Sequence, residues 1–291
     1  MRTSRTKWIR GVVAFASIAL VASACGGGEG STLEELQESG SITIGIANEV
    51  PYGYVGDDGE VTGFAPDVAR AVLAELEITE VEADVVEFGE LIGGLLAGQF
   101  DLIAAGMYIN PERAAQINFS DPDYCTTESF AVAAGNPNGI VDYQSFADNP
   151  DLTLAVASGT VEVGYAEDAG IPDSQLEVLA DIDGIFAAIE AGEVDAAAGT
   201  SATVDTQVAA RSGIEAVEPF FPKDAEGNET LPCGGYGFRL DDTEFRDAFN
   251  DQLNAFRSDG TTTDIITAYE GFTDADVELA NSLTVEDFLD E

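Results

Sequence analysis

Histidine is absent from the 291-residue sequence. That excludes Ser-His-Asp triads and histidine-ligated metal sites, because both need an imidazole. Basic residues are scarce as well: 11 Lys and Arg stand against 55 Asp and Glu, a formal charge of −44. Such a balance repels phosphate backbones and anionic membrane surfaces, so nucleic acid is excluded as a partner. Four of the basic residues, Arg2, Arg5, Lys7 and Arg10, fall at the extreme N-terminus, and beyond them Lys223 is the one lysine. An acid-rich, lysine-poor chain with 45% hydrophobic residues reads as adapted to a saline medium rather than to a function. A calcium-loaded or nucleic-acid-mimicking protein is the competing reading. Asp181, Asp183, Gly184 and Glu190 do fall at EF-hand-like spacing, but the loop would start at Leu179, which has no ligating side chain. Long apolar runs are also missing. The uncharged run 11–24 is shorter than the about 20 residues that a membrane-spanning helix takes.

What stands at the start is an export signal. A basic segment, an apolar run and small residues before Cys25 have the layout of a secretory leader. Cys25 after Ala22-Ser23-Ala24 resembles a lipobox, with Ala22 where leucine is usual. Residues 1–24 are expected to be a lipoprotein signal peptide, Cys25 to carry lipid, and residues 25–40 to form a flexible tether. Ordinary cleavage with Cys25 a bystander is the alternative. Cysteine is otherwise limited to Cys125 and Cys233. In an exported chain these are a candidate disulfide, two separate buried thiols being the other reading.

From Ser41 short apolar strands alternate with helical patterns, which predicts an α/β fold with mostly parallel sheets. The first series predicts strands at 42–46, 81–86 and 100–104 and helices at 64–76 and 91–97. After Pro150 a second series predicts strands at 152–156, 176–179 and 194–198, with helices at 161–169, 185–191 and 203–211. The two series resemble each other: LLAGQFDLIAA (95–105) aligns with AIEAGEVDAAAG (188–199), and ITIGIA (42–47) with LTLAVA (152–157). Repeats this far apart suit two lobes of one architecture, not a solenoid. Two extended segments, 119–133 and 233–240, each carry one cysteine and predict a double crossing between the lobes. A bond between them staples that hinge without blocking closure. The predicted lobes are 41–130 with 236–291, and 131–235.

Ligands of open α/β sheets bind beyond the carboxyl ends of the strands. The residues just after each strand are therefore the candidates: Glu49 and Tyr52, then Phe88, then Tyr108 and Arg113 in the first lobe. In the second lobe they are 158–160, 180–184 and 199–203. Asn110 and Pro111 make a good helix start, and a cation in the first turn of that helix runs against its dipole. Arg113 therefore either holds an anion or pairs with Glu112 or another acid. Aromatic faces attract delocalised cations by about 0.5–2 kcal/mol each, an Arg fork grips a carboxylate, and Glu49 balances a cation. Together they describe a pocket for a small zwitterion with a flat or cyclic cationic part. Taken singly, each aromatic reads as core and Glu49 as a solvated acid; Phe64 and Phe100 lie inside elements and are read as core.

The segments IANEVPYGYVGDDGEVTGFAPDVARAVL, EFGELIGGLLAGQFDLIAAGMYINPER and FSDPDYC resemble the solute-binding proteins of polar amino-acid ABC importers, extracellular solute-binding protein family 3. The resemblance covers nearly all of the chain beyond the leader, and NEVPYGY and GMYINPER are most similar to the ectoine/hydroxyectoine-binding branch. It implies a two-lobe periplasmic-binding-protein (type II, Venus-flytrap) fold that closes on its solute and delivers it to a membrane permease. It also implies, by local motif, an aromatic box of Tyr52, Phe88 and Tyr108 around a cyclic amidinium, with Arg113 on the carboxylate. Glu49 would meet the ring nitrogens and Thr160 would add a hydrogen bond to the carboxylate. An acid from the second lobe is expected too, with Asp181 preferred over Asp183. Where amino-acid binders of this superfamily commonly carry an Asp, this chain has Gly199-Thr200-Ser201, which turns the choice away from α-amino acids. The expected function is capture of ectoine or hydroxyectoine by a monomer anchored outside the cytoplasmic membrane, with no cofactor and no metal. The alternatives are a binder of a polar amino acid or other zwitterion, and an exported dehydratase-like enzyme on the same scaffold. For the enzyme, Glu49 as a general acid has no second catalytic group beside it.

Overall fold

The structure, a computed structural model, describes residues 32–289, so the leader and Cys25 lie outside the described residues. The chain begins with α1 (Thr32–Ser39), β1 (Ser41–Ile46), the hairpin β2 (Tyr54–Val55) and β3 (Val61–Thr62), α2 (Phe64–Glu75) and β4 (Glu80–Val85). It continues through α3 (Leu91–Leu96), β5 (Leu102–Tyr108), α4 (Pro111–Ala114), β6 (Asn118–Phe119) and β7 (Tyr124–Cys125). A second group follows: β8 (Glu128–Ala133), α5 (Gln144–Asp148), β9 (Leu154–Ala157), α6 (Val161–Asp168), β10 (Leu176–Leu179), α7 (Ile182–Ala191), β11 (Ala196–Thr200), α8 (Ser201–Ala210) and β12 (Ile214–Ala216). The chain then returns in β13 (Cys233–Phe238) and ends in α9 (Thr243–Asp259), α10 (Thr261–Ile266) and α11 (Asp274–Asn281).

Two sheets result. The first has the order β4-β1-β5-β13-β6, with β7 also beside β13; the second has β10-β9-β11-β8-β12. In each, three strands run parallel and the crossing strand joins antiparallel, so the sheets are mixed. The repeat seen in the sequence is real structure: α3 leads into β5 beside β1, as α7 leads into β11 beside β9. The carboxyl ends of all these parallel strands face one gap.

Three expectations about extent are corrected. The tether does not reach residue 40, because Leu33 and Leu36, adjacent on one helical face, bury α1 in the first-lobe core. The second sheet starts at Glu128, not 131, and the first resumes at Cys233, not 236. Composition marks a crossing as extended but not which sheet its ends will join. The third strand, predicted at 100–104, runs on to Tyr108 through Gly106, a residue that by itself reads as a turn. Gly106 stays in the strand at φ +63 because the Tyr52 ring lies on it; a Cβ there would be 2.1 Å from Tyr52 Cδ1.

The hinge is stapled. Cys125 on β7 faces Cys233 on β13 in register, and their sulfurs are bonded at 1.99 Å. The acidic C-terminal segment packs over this point: Ala280, Leu283 and Phe288 cover the disulfide, and Arg257 donates to the carbonyls of Ala280 and Leu283. Asp121, in the crossing, accepts from Val285 N at 2.8 Å and from the Asn250 and Asn254 side chains.

Candidate ligand-binding site

The site starts from short, constrained turns after the strands. After β1, Glu49 and Gly53 exchange two backbone hydrogen bonds of 2.9 Å, a tight loop that sends Glu49 and Tyr52 into the gap. After β4, a 3-10 turn at Phe88–Glu90 does the same for Phe88. At the end of β5, Asn110 caps α4 by accepting from Arg113 N at 2.8 Å. The Arg113 side chain turns back from that helix instead of pairing with Glu112. Its Nη1 donates to Tyr108 O at 2.8 Å and its Nη2 to Gly159 O of the second lobe at 2.9 Å, while the guanidinium lies over Phe88 at 5.3 Å. Arg113 is 7% exposed, and among the described residues no carboxylate lies within ion-pair distance of it.

Glu49, Tyr52, Phe88, Tyr108, Arg113 and Thr160 line one cavity between the lobes. Asp181 is not among them. It is exposed at the N-cap of α7, where it accepts from Asp183 N, because an Asp before a helix finds its hydrogen bond locally. Asp183 pairs with Arg211 at 2.5 Å. The second-lobe acid at the cavity is instead Glu162, in the first turn of α6 and 6% exposed. Thr200, from the Gly199-Thr200-Ser201 turn, also lines the cavity. The signal for Glu162 was present, two residues after Thr160. An acid in a first helical turn, however, reads as an ordinary response to the helix dipole.

The lobes are closed on each other. Tyr52 OH donates to Thr200 Oγ1 at 2.8 Å, Thr200 to Thr203 Oγ1 at 3.1 Å, and Thr203 back across the gap to Glu49 Oε1 at 2.6 Å. Tyr108 OH reaches Glu128 Oε1 at 3.3 Å. At the rim, Gly89 and Gly159 touch so closely that a Cβ on Gly159 would lie 2.5 Å from Gly89 Cα.

Electrostatically the site holds more acid than base. Glu49 is only partly buried as a residue, but its carboxyl is enclosed. Burial pushes it up to about 8, with the Thr203 hydroxyl opposing and the Glu162 charge assisting. Burial lowers Arg113 from its usual range while Glu162 opposes that shift, so it remains a cation. Tyr52 and Tyr108 are pushed up by burial and stay neutral phenols. The box therefore offers three aromatic faces, one guanidinium and a surplus of carboxyl oxygens.

Comparison with known proteins places this arrangement. The profile of the bacterial extracellular solute-binding proteins, family 3, matches residues 42–272. The chain belongs to that family. Its fold is accordingly the two-lobe periplasmic-binding-protein fold, and its relatives are binding proteins. A probable amino-acid ABC transporter periplasmic-binding protein, y4tE of Sinorhizobium fredii, is 32% identical over 240 residues, 82% of this chain and 79% of its own length. Among solved structures, EhuB in complex with hydroxyectoine is 36% identical with a TM-score of 0.81, covering 89% of this chain and 97% of that one. The ancestral amino-acid-binding protein AncCDT-1, a precursor of cyclohexadienyl dehydratase, is 25% identical with a TM-score of 0.72, covering 82% and 99%. No helix among the described residues is long and apolar enough to cross a membrane.

Proposed function

We propose that this protein captures ectoine or hydroxyectoine outside the cytoplasmic membrane and hands it to an ABC permease. The observation that carries the reading is the convergence of Tyr52, Phe88, Tyr108, Arg113 and Glu49 on one small cavity. In this reading the amidinium ring lies among the three aromatic faces, and its N–H groups donate to Glu49 and Glu162. The carboxylate takes the free N–H donors of Arg113 and the Thr160 turn. Cation–π contacts, one charge-assisted grip and desolvation by lobe closure are together of the size a micromolar dissociation constant requires, about −8 kcal/mol. The similarity to the EhuB–hydroxyectoine complex supports the same ligand class. On this reading the protein is a monomer held at the membrane by lipid on Cys25, so Cys25→Ser releases it into the soluble fraction.

A second reading is favoured by the surplus of acids, which also suits a basic amino acid. A relative at 26% identity over 222 residues is the arginine-binding protein 1 of an Escherichia coli ABC transporter. Against it, Thr200 stands at the cavity where an α-ammonium would meet a carboxylate. A thermal-shift screen in high salt separates the two. Stabilisation by ectoine and hydroxyectoine, and not by arginine, lysine, glutamate, proline or glycine betaine, supports capture of a compatible solute. Stabilisation by an amino acid alone transfers the protein to the second reading.

A further inference from the structure

Behind the cavity lies a pair of acids that ligand capture by itself does not explain. Glu128, the first residue of β8, is fully buried and does not line the cavity; Glu162 does. Their carboxyl groups lie close enough for a proton on one to bridge to the other, although as two carboxylates they make no hydrogen bond. Glu128 Oε1 accepts from Tyr108 OH, whereas Oε2 of Glu128 and Oε2 of Glu162 have no donor from any other described residue. Two ionised carboxylates in this arrangement would leave both oxygens desolvated and unpaired, with like charges in contact. One proton removes both penalties, because an Oε2–H of one acid then donates to the other.

The surroundings offer no other solution. Tyr108 from β5, Glu49 and Tyr52 from the loop after β1, and Tyr143 and Tyr165 from the second lobe lie within electrostatic reach, and all are acids or phenols. The Tyr143 hydroxyl is itself buried without a partner. Arg113 acts on Glu162 electrostatically but forms no ion pair with it, its Nη1 and Nη2 each donating one N–H to a backbone carbonyl instead. Burial, reinforced by the charge of Glu162, pushes Glu128 well above the usual carboxylate range.

We propose that Glu128 and Glu162 share one proton, so that the second-lobe wall presents a single negative charge across the pair and selects a ligand whose cationic part carries one charge. Glu128 is a positioning residue: it holds the proton and fixes the orientation of Glu162. This rests on the reading that the cleft takes a zwitterion. The proton comes from solvent, and only an O–H bond is made.

The test has two arms on the exported chain. Infrared spectroscopy of the ligand-free protein at neutral pH reads the pair directly. The wild-type minus Glu128→Gln difference is expected to show the band of about one protonated carboxyl, and its absence overturns the proposal whatever the ligand. Calorimetric titration with ectoine reads the consequence. Glu128→Gln, whose amide donates to Glu162 in place of the shared proton, is expected to bind within about threefold of wild type, and Glu162→Gln at least about tenfold more weakly. A folded Glu128→Gln that loses ectoine as completely as Glu162→Gln also overturns it. A band with no ectoine binding by the wild type leaves the shared proton standing and removes the capture reading.

Discussion

Tyr108 does two things at once: its face lines the cavity and its hydroxyl reaches Glu128. Tyr108→Phe keeps the face and removes only a 3.3 Å hydrogen bond, so it is expected to weaken ectoine binding by less than about tenfold. Tyr108→Ala removes the cation–π partner and opens the wall, and calorimetry should register a much larger loss. Equal affinities for the two variants would contradict the aromatic box. Glu49 makes a pH prediction. In the closed cleft burial pushes its carboxyl from the ordinary 4.5 up to about 8, and an open cleft that exposes it to water would return it to the ordinary range. The closed form then holds more protons than the open one, so ligand-free closure is favoured at pH below 4.5 and loses that support as pH rises through about 8. Scattering from ligand-free protein should show contraction on acidification, reduced in Glu49→Gln. The Arg113 signal was legible because an Arg in a first helical turn violates a local preference. Glu162 was not, because it obeys one, and Asp181 misled because an N-cap Asp looks the same whether or not a ligand is near.

At the scale of elements, the gap is closed by contact between turns, not by interlocking helices. Gly89 has a backbone that accepts alanine, but a Cβ there would stand 2.9 Å from Ser158 O in the opposite lobe. Gly89→Ala is therefore expected to lower ligand affinity several-fold or more while leaving the melting temperature of the ligand-free protein unchanged. A fall in that melting temperature with unaltered affinity would show that the contact serves folding instead. Most elements were legible because apolar periodicity and the internal repeat report them independently. Their ends were less so. Gly106 reads as a turn, yet it extends β5 because a ring from another loop takes the space a side chain would fill, and no local pattern encodes that. The allocation of β8 and β13 to their sheets depends likewise on pairing partners 64 to 134 residues away.

For the whole molecule, 55 acids against 11 bases impose a self-repulsion that salt screens within about 10 Å at 0.1 M. The melting temperature is expected to climb with added sodium chloride, and a flat or falling dependence would remove the saline-adaptation reading. The two-lobe plan was legible from the repeat alone. The packing of the acidic C-terminal segment over the hinge disulfide was not, since its apolar residues are few and their partners lie in the crossing strands. The central claim is that the closed cleft grips a zwitterion with one cationic and one carboxylate group through Arg113 and the box. Calorimetric titration of ectoine into wild type and Arg113→Ala tests it most directly. The account predicts micromolar binding by the wild type and a loss of about 30-fold or more in the variant, the effect of deleting one partner of a buried charge pair. Undiminished affinity in a folded Arg113→Ala would contradict it.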